Sequence, residues 1–366
     1  MDRRNLLGPA ALSSAALAAA ALAAPALAQT AMPEVRWRAA SSFPRVFDVL
    51  YGTMERIAAR VAQLTENKFR ITTVPAGEIV GGLQVLDAVQ AGTIEAGHTA
   101  SYYYIGKDIA FAPFTAMSFG LNTRQMTAWA RFGGGNQLAA DLFREYNIIG
   151  HTAGDTGAQM GGWFRNEMRS VSDLQGLKFR ITGLAGQLFT RLGAAPVLTA
   201  PADIYPSLER GVIDAAEFVG PHDDERANYV RVARYYYAPG FWEPGARLHF
   251  MSNIRAYNAL PDLYKHAIEV ACAEADSDMV ARYDHLNPQA LRRLVAAGAQ
   301  LRFWPREILQ AAWRANEEML GDLGSRNARF KTIMDSYKAY RGEMFQWHRV
   351  SENSFDNFAF AAAAQQ

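Results

Sequence analysis

The chain has 366 residues, half of them hydrophobic and a fifth charged, with 37 basic against 36 acidic side chains. That balance leaves no electrostatic footprint for nucleic acid or for an anionic membrane surface. Aromatic residues at 11% exclude a disordered chain, and a single cysteine, Cys272, excludes a disulfide framework and every multi-cysteine metal or redox motif.

Residues 1–28 read as an export signal. Arg3-Arg4-Asn5-Leu6-Leu7 fits the twin-arginine pattern, an apolar stretch runs from Ala10 to Ala24, and Ala26-Leu27-Ala28 offers a cleavage site before Gln29. The expected destination is the periplasm. Losing Asp2, Arg3 and Arg4 with the signal leaves a formally neutral chain.

Val35, Trp37 and Ala39 alternate as in a strand, and Val46, Leu50, Met54, Ile57, Val61 and Leu64 fall on one face of a helix. Phe69 and Ile71 begin a second strand, Leu83, Leu86 and Val89 mark a helix stopped by Gly92, and Ile94–Gly97 reads as a third strand. This order predicts a parallel sheet with right-handed crossovers. The pattern returns with a strand at Phe179 and Ile181, a helix from Leu184 to Leu192 and a strand at Val197. A helix capped at Asp203 and a strand at Ile213–Ala216 complete it. AVQAGTIEAG (88–97) and SLERGVIDAA (207–216) align without gaps at an offset of 119 residues, which makes His98 and Glu217 equivalent positions.

The expected fold is therefore α/β, with two lobes of similar topology and a cleft beyond the carboxyl ends of the strands. Residues 29–155 with roughly 249–305 form the first lobe and 156–248 the second. Residues 306–366 form C-terminal helices, in which Phe330, Ile333, Tyr337, Tyr340, Met344 and Trp347 make a heptad-like seam, either packed on its own domain or dimerising.

Arg180 lies in KFRIT, which otherwise reads as a buried strand. A buried guanidinium needs an anion, either a protein acid or a carboxylate ligand gripped by two parallel hydrogen bonds. Glu217 follows the strand at 213–216, Glu243 sits in the turn-rich PGFWEPG, and Gln159 in GDTGAQMGGWFR. Their oxygens suit a hard cation, Na+ or Ca2+, although spacing alone also allows solvated or ion-paired acids. Tyr102-Tyr103-Tyr104 and Phe43 flank the expected cleft. No H-x-x-x-H pair, G-x-S-x-G elbow, P-loop or G-x-G-x-x-G occurs. An enzyme would have to be a secreted hydrolase or lyase using Glu217 and Glu243 as acid and base.

GDTGAQMGGWFRNE, SDLQGLKFRITGLAGQLFTRLGAAPV and the stretches 78–108 and 203–245 together resemble the extracytoplasmic solute-binding proteins of TRAP transporters (the DctP family). GAQMGGWFR and PGFWEPG are closest to the members that bind 2-oxo or 2-hydroxy monocarboxylates with a metal ion. The resemblance implies a two-lobe periplasmic binding protein of type II-like fold, not an enzyme, that delivers a small organic acid to a TRAP membrane permease. It implies that Arg180 binds the carboxylate, that Gln159, Glu217, the backbone carbonyl of Phe218 and Glu243 surround the metal, and that Tyr103 contacts the ligand. It also implies that the C-terminal seam swaps between two subunits. Phe218 stands where such relatives carry Trp, and Asp155 where many carry Asn. If Asp155 faces the cleft, its charge favours Ca2+ or a hydroxy acid that donates to it.

Overall fold

The computed structural model describes residues 32–365, so the expected signal at 1–28 lies outside the described residues. The chain alternates strands and helices as follows: β1 Val35–Ser41, α1 Leu50–Leu64, β2 Phe69–Val74, α2 Val85–Ala91, β3 Ala96–Thr99, α3 Thr123–Phe132, α4 Gly135–Glu145 and β4 Ile148–Asp155. It continues through β5 Trp163–Phe164, β6 Lys178–Arg180, α5 Gly183–Arg191, β7 Ala195–Val197, α6 Ile204–Glu209, β8 Ala215–Ala216, α7 Pro221–Arg226 and β9 Tyr235–Ala238. The remainder is β10 Arg247–Asn253, α8 Ile254–Asn258, α9 Asp262–Ala296, β11 Gln300–Phe303, α10 Arg306–Arg326, α11 Ala328–Val350 and α12 Glu352–Ala363.

Two sheets result, with strand orders β2-β1-β3-β10-β4 and β11-β9-β5-β8-β6-β7. The internal repeat of the sequence has a topological counterpart. The parallel triplet β2-β1-β3 in one sheet matches β7-β6-β8 in the other, each followed by an antiparallel strand, β10 or β5. The 119-residue offset superposes β3 on β8. Gly92 ends α2 in the left-handed conformation (φ 73°), as its position after the last apolar residue requires.

Three differences from the sequence reading have simple causes. Helix α1 starts at Leu50 rather than Val46, because Pro44 opens a turn closed by the Phe47 amide on the Pro44 carbonyl (3.2 Å), and Val46 is left exposed. β3 begins two residues later than Ile94. β11 pairs in parallel with β9, Gln300 opposite Tyr235, so residues 300–303 join the second sheet and not the first lobe.

The chain thus crosses between sheets three times: after β4, after β9 and along α9. The 35 residues of α9 serve both lobes. On the first, Arg60 pairs with Glu274 and Arg56 with Asp278 (3.0 Å). On the second, Tyr283 donates to Asp223 (2.5 Å), Asn287 accepts from the His222 amide (3.0 Å) and Arg293 pairs with Glu225 (2.7 Å). Helix α11 splits the expected seam. Phe330, Ile333 and Tyr337 are buried in this chain, while Trp347 is 58% exposed. No helix among the described residues is long and apolar enough to cross a membrane.

Asp223 and Asp224 of α7 are buried acids, each with one oxygen met by neutral donors and the other without a hydrogen bond. Tyr283 serves the first, and Trp163 (3.0 Å) and Tyr236 (2.6 Å) serve the second. Burial pushes Asp223 up to about 8 and Asp224 up to about 7. In the unfolded chain both titrate near ~3.9. The folded chain therefore holds more protons between those limits, and the stabilisation present below the unfolded value is lost as pH rises through the folded values. Urea unfolding is expected to show stability falling from about pH 5 to about pH 8, and Asp224→Asn to flatten that slope.

Candidate functional site

The site forms where strand ends of both sheets meet the two irregular crossings. Arg180 is the last residue of β6 and pairs in register with Ala216 of β8, the next strand over. Because these strands are parallel, Arg180 and Glu217 emerge side by side at their carboxyl ends, and the Glu217 amide donates to the Arg180 carbonyl (3.0 Å). Gly162, just before β5, lets that segment pack against the end of β8: it holds φ at +86°, and a Cβ there would sit 2.6 Å from the Ala216 carbonyl oxygen.

The Arg180 guanidinium is 1% exposed. Nη1 donates to the Glu217 carbonyl (2.6 Å) and to Glu217 Oε1 (2.7 Å), and Nε donates to the Thr199 carbonyl (3.2 Å). The sequence left two readings for Arg180, and the structure contains features of both. There is an internal ion pair, but Nη2 has no protein partner. Burial works against the guanidinium charge, and the Glu217 carboxylate together with Tyr103, Tyr102 and Tyr229 outweighs it.

Glu217 Oε1 also accepts from the Thr182 amide and hydroxyl (both 3.2 Å), and the same hydroxyl lies 3.1 Å from Glu243 Oε1. One hydroxyl has one proton, so it serves only one of the two carboxylates at a time. Burial pushes the Glu217 carboxyl up, against the pull of Arg180. Burial, with Glu217 beside it, pushes Glu243 well up. Gln159, at the first crossing, donates its amide N–H to the Thr156 hydroxyl (3.0 Å) and keeps its oxygen free. Three buried oxygens are left without a hydrogen bond: Gln159 Oε1, Glu217 Oε2 and Glu243 Oε2. Such atoms are costly unless a cation or a donor meets them. Oxygen donors of this kind, two of them carboxylates, fit a hard cation.

A nearly closed cavity of about 10 Å³, room for little more than one water, adjoins this cluster. Its polar wall is Arg180, Gln159, Thr156, Tyr102 and Tyr103, and its apolar wall includes Phe43, Leu50, Phe218 and Leu248. Tyr103 and Phe43 both line this cavity. The Tyr103 phenol is raised by burial and drawn down by Arg180, which places it within reach of that charge. The Phe218 ring lies 4.5 Å from Phe47 and 5.8 Å from the Arg180 guanidinium carbon. His98, the repeat equivalent of Glu217, is a core residue whose Nε2 lies 2.8 Å from the Ala153 carbonyl, and burial lowers it to about 4.

Asp155 requires a correction. It does not line the cavity. Its Oδ1 accepts from the Thr123 hydroxyl (2.7 Å) and the Gly157 amide (2.9 Å), and its other oxygen faces Arg247 at 3.9 Å. Arg247, which also faces Asp276 at 3.6 Å, is a second buried arginine that the sequence reading passed over, although it stands among the uncharged residues of GARLHFMS. Thr182 was also missed. Its position two residues beyond Arg180 on the same strand end was the available signal.

A two-lobe α/β chain with a buried guanidinium and bare oxygens between its lobes has the architecture of a periplasmic binding protein. Residues 43–326 match the bacterial extracellular solute-binding proteins of family 7, DctP, and the chain belongs to that family of TRAP solute-binding proteins. It is 46% identical to the monocarboxylate 2-oxoacid-binding periplasmic protein of Nostoc sp., over 98% of this chain and 99% of that one. Among solved structures it resembles a TRAP transporter solute-binding protein from Bordetella bronchiseptica. The two share 45% identity and a TM-score of 0.90, covering 91% of this chain and 99% of the other, and that protein is a mixed-occupancy dimer with copurified calcium and picolinate. It also resembles one from Pseudoalteromonas atlantica with bound sodium and pyruvate, at 34% identity and a TM-score of 0.86, covering 88% and 98%. The family and its relatives are transport receptors, and the hydrolase or lyase reading of Glu217 and Glu243 has no support among them.

Since Asp155 neutralises Arg247 instead of facing the cleft, Asp155→Asn is expected to leave acid binding within about twofold of wild type in calorimetry. Unfolding stability is expected to fall by about 3 kcal/mol, the low end for removing one partner of a buried ion pair, since Arg247 keeps only Asp276.

Proposed function

We propose that the protein captures a small 2-oxo or 2-hydroxy monocarboxylate in the periplasm, together with a Ca2+ or Na+ ion, and hands it to the membrane subunits of a TRAP permease. The observation that carries this reading is the unpartnered Nη2 of Arg180 at the cavity wall, beside three unpartnered oxygens. Arg180 would meet the carboxylate of the ligand. Gln159, Glu217 and Glu243 would hold the ion through their free oxygens, with the Phe218 backbone carbonyl as a further ligand and Tyr103 against the acid. The ion supplies positive charge that a second oxygen of the acid can share.

Formal charge supports the divalent ion. Two carboxylates and one guanidinium sum to minus one. Adding Ca2+ and a monocarboxylate brings the total to zero, whereas Na+ leaves the cluster negative unless Glu243 keeps a proton. Closure follows from the same residues, because Phe43 and Tyr103 come from the first lobe and Arg180 and Phe218 from the second. A ligand touching both stabilises the closed form.

Calorimetric titration with pyruvate and related acids tests the site. Arg180→Met is expected to weaken binding at least ~100-fold, the worth of two charge-assisted hydrogen bonds. Chelation of the purified protein, with exchange into sodium-free buffer, is expected to abolish binding until calcium or sodium is restored. Unchanged affinity in both experiments would overturn the assignment.

We also propose that the chain dimerises through its C-terminal helices. Beyond the buried half of α11, Trp347, Val350, Phe355, Phe358 and Phe360 are exposed, the last three by 69%, 76% and 71%. A patch of this kind marks a contact surface. Light scattering is expected to give a dimer for the full chain and a monomer after removal of residues 351–366. A full-length monomer would refute the idea.

A further inference from the structure

We infer that Asp48, outside the ligand cavity, is a positioning residue that latches the two lobes shut. It lies in the turn between β1 and α1, on the first lobe, and its side chain is directed at the second. His222, on α7, places its Nε2 2.8 Å from Asp48 Oδ1. Arg226, one helical turn further along α7, places its Nε 3.0 Å from the same oxygen. Arg282 of α9 approaches the other oxygen at 3.7 Å.

Asp48 is therefore the one carboxylate shared by His222 and two guanidinium groups drawn from two other elements. His222 is 6% exposed and held in place from behind, because its backbone amide is fixed by Asn287. Next to Asp48, the buried Phe47 ring meets Phe218, whose own ring lines the ligand cavity. The turn thus touches the second lobe twice, through an aromatic contact and through an ionic one, alongside the cavity and without reaching the ligand.

Asp48, His222 and Asp223 have ligand atoms within 4.8 Å of one another, a spacing a metal ion would also accept. Arg226 Nε, however, already lies 3.1 Å from His222 Nε2 as well as 3.0 Å from Asp48. A guanidinium, not an ion, serves this cluster. Asp223 gives its Oδ2 to the Tyr283 hydroxyl.

Removing the Asp48 charge does more than lose a contact. It deprives Arg226 and Arg282 of the acid they share, so the ionic tie across the lobes is lost and the open form gains. Affinity then falls with the fraction of closed protein, although no ligand contact changes.

The test rests on the proposed binding function and uses full-length protein with calcium and pyruvate. Asp48→Asn is expected to raise Kd about fivefold through faster dissociation in stopped flow, with the association rate within about twofold. Asp48→Glu is expected to restore most of the affinity. A dissociation rate unaltered by Asp48→Asn would overturn the latch.

If wild type binds neither pyruvate nor a related acid, the functional reading has failed, and the latch is still decided by distance. Spin labels at Glu66 and Arg210, both exposed, report the separation of the lobes in the ligand-free protein. Asp48→Asn is expected to shift that distribution to longer distances, and an identical distribution overturns the latch.

Discussion

The site depends on how one guanidinium is divided. Arg180 gives one nitrogen to Glu217 and its Nε to a backbone carbonyl, and keeps Nη2 for something outside the chain. A buried ion pair of this kind adds little to stability, since taking both charges out of water costs about as much as their attraction returns. Its value is geometric. Glu217 holds the fork in one orientation, and the fork holds Glu217 so that its second oxygen stays bare. Neither partner can be changed without moving the other. The parallel pairing of β6 with β8 puts both at the same end of the sheet.

Topology explains the rest of the constellation. Gln159 and Glu243 lie on the two irregular segments that carry the chain from one sheet to the other, where the backbone is free of ladder bonds and can turn side chains into the gap. Phe43 and Tyr103 come from the loops after β1 and β3, the positions matching those after β6 and β8. The duplicated strand plan thus faces two similar rims across one space. The rims differ in chemistry: aromatic on the first lobe, charged on the second. A carboxylate would be gripped by the charged rim and covered by the aromatic one.

How much of this was readable in the sequence varied with the range of the interaction. Arg180 stood out because a charge inside an apolar strand must be explained wherever it folds. The duplicated segments were visible as a gapless offset, and their equivalence holds in the sheet order. Gln159, Glu217 and Glu243 had no local signature. Their spacing fits many surfaces, and only the resemblance to a family grouped them. Asp155 was misplaced because the group that neutralises it, Arg247, belongs to a distant strand. A side chain's partner across the chain is set by tertiary packing and not by its neighbours. The same reason hid β11, whose sheet depends on how far α9 carries the chain before it returns. Thr182 was overlooked because a hydroxyl carries no charge to draw attention, although here it links two acids.

Helix α9 has a consequence for how such proteins can be recombined. At 1.5 Å per residue its 35 residues extend about 50 Å, and salt links and hydrogen bonds fasten its opposite ends to different halves of the molecule. A chimera that exchanged one half for that of a relative would have to cut this rod or import it whole, together with the partner surfaces at both ends. Inheritance of a new ligand preference is therefore easier through the short crossing segments and strand rims than by shuffling whole lobes.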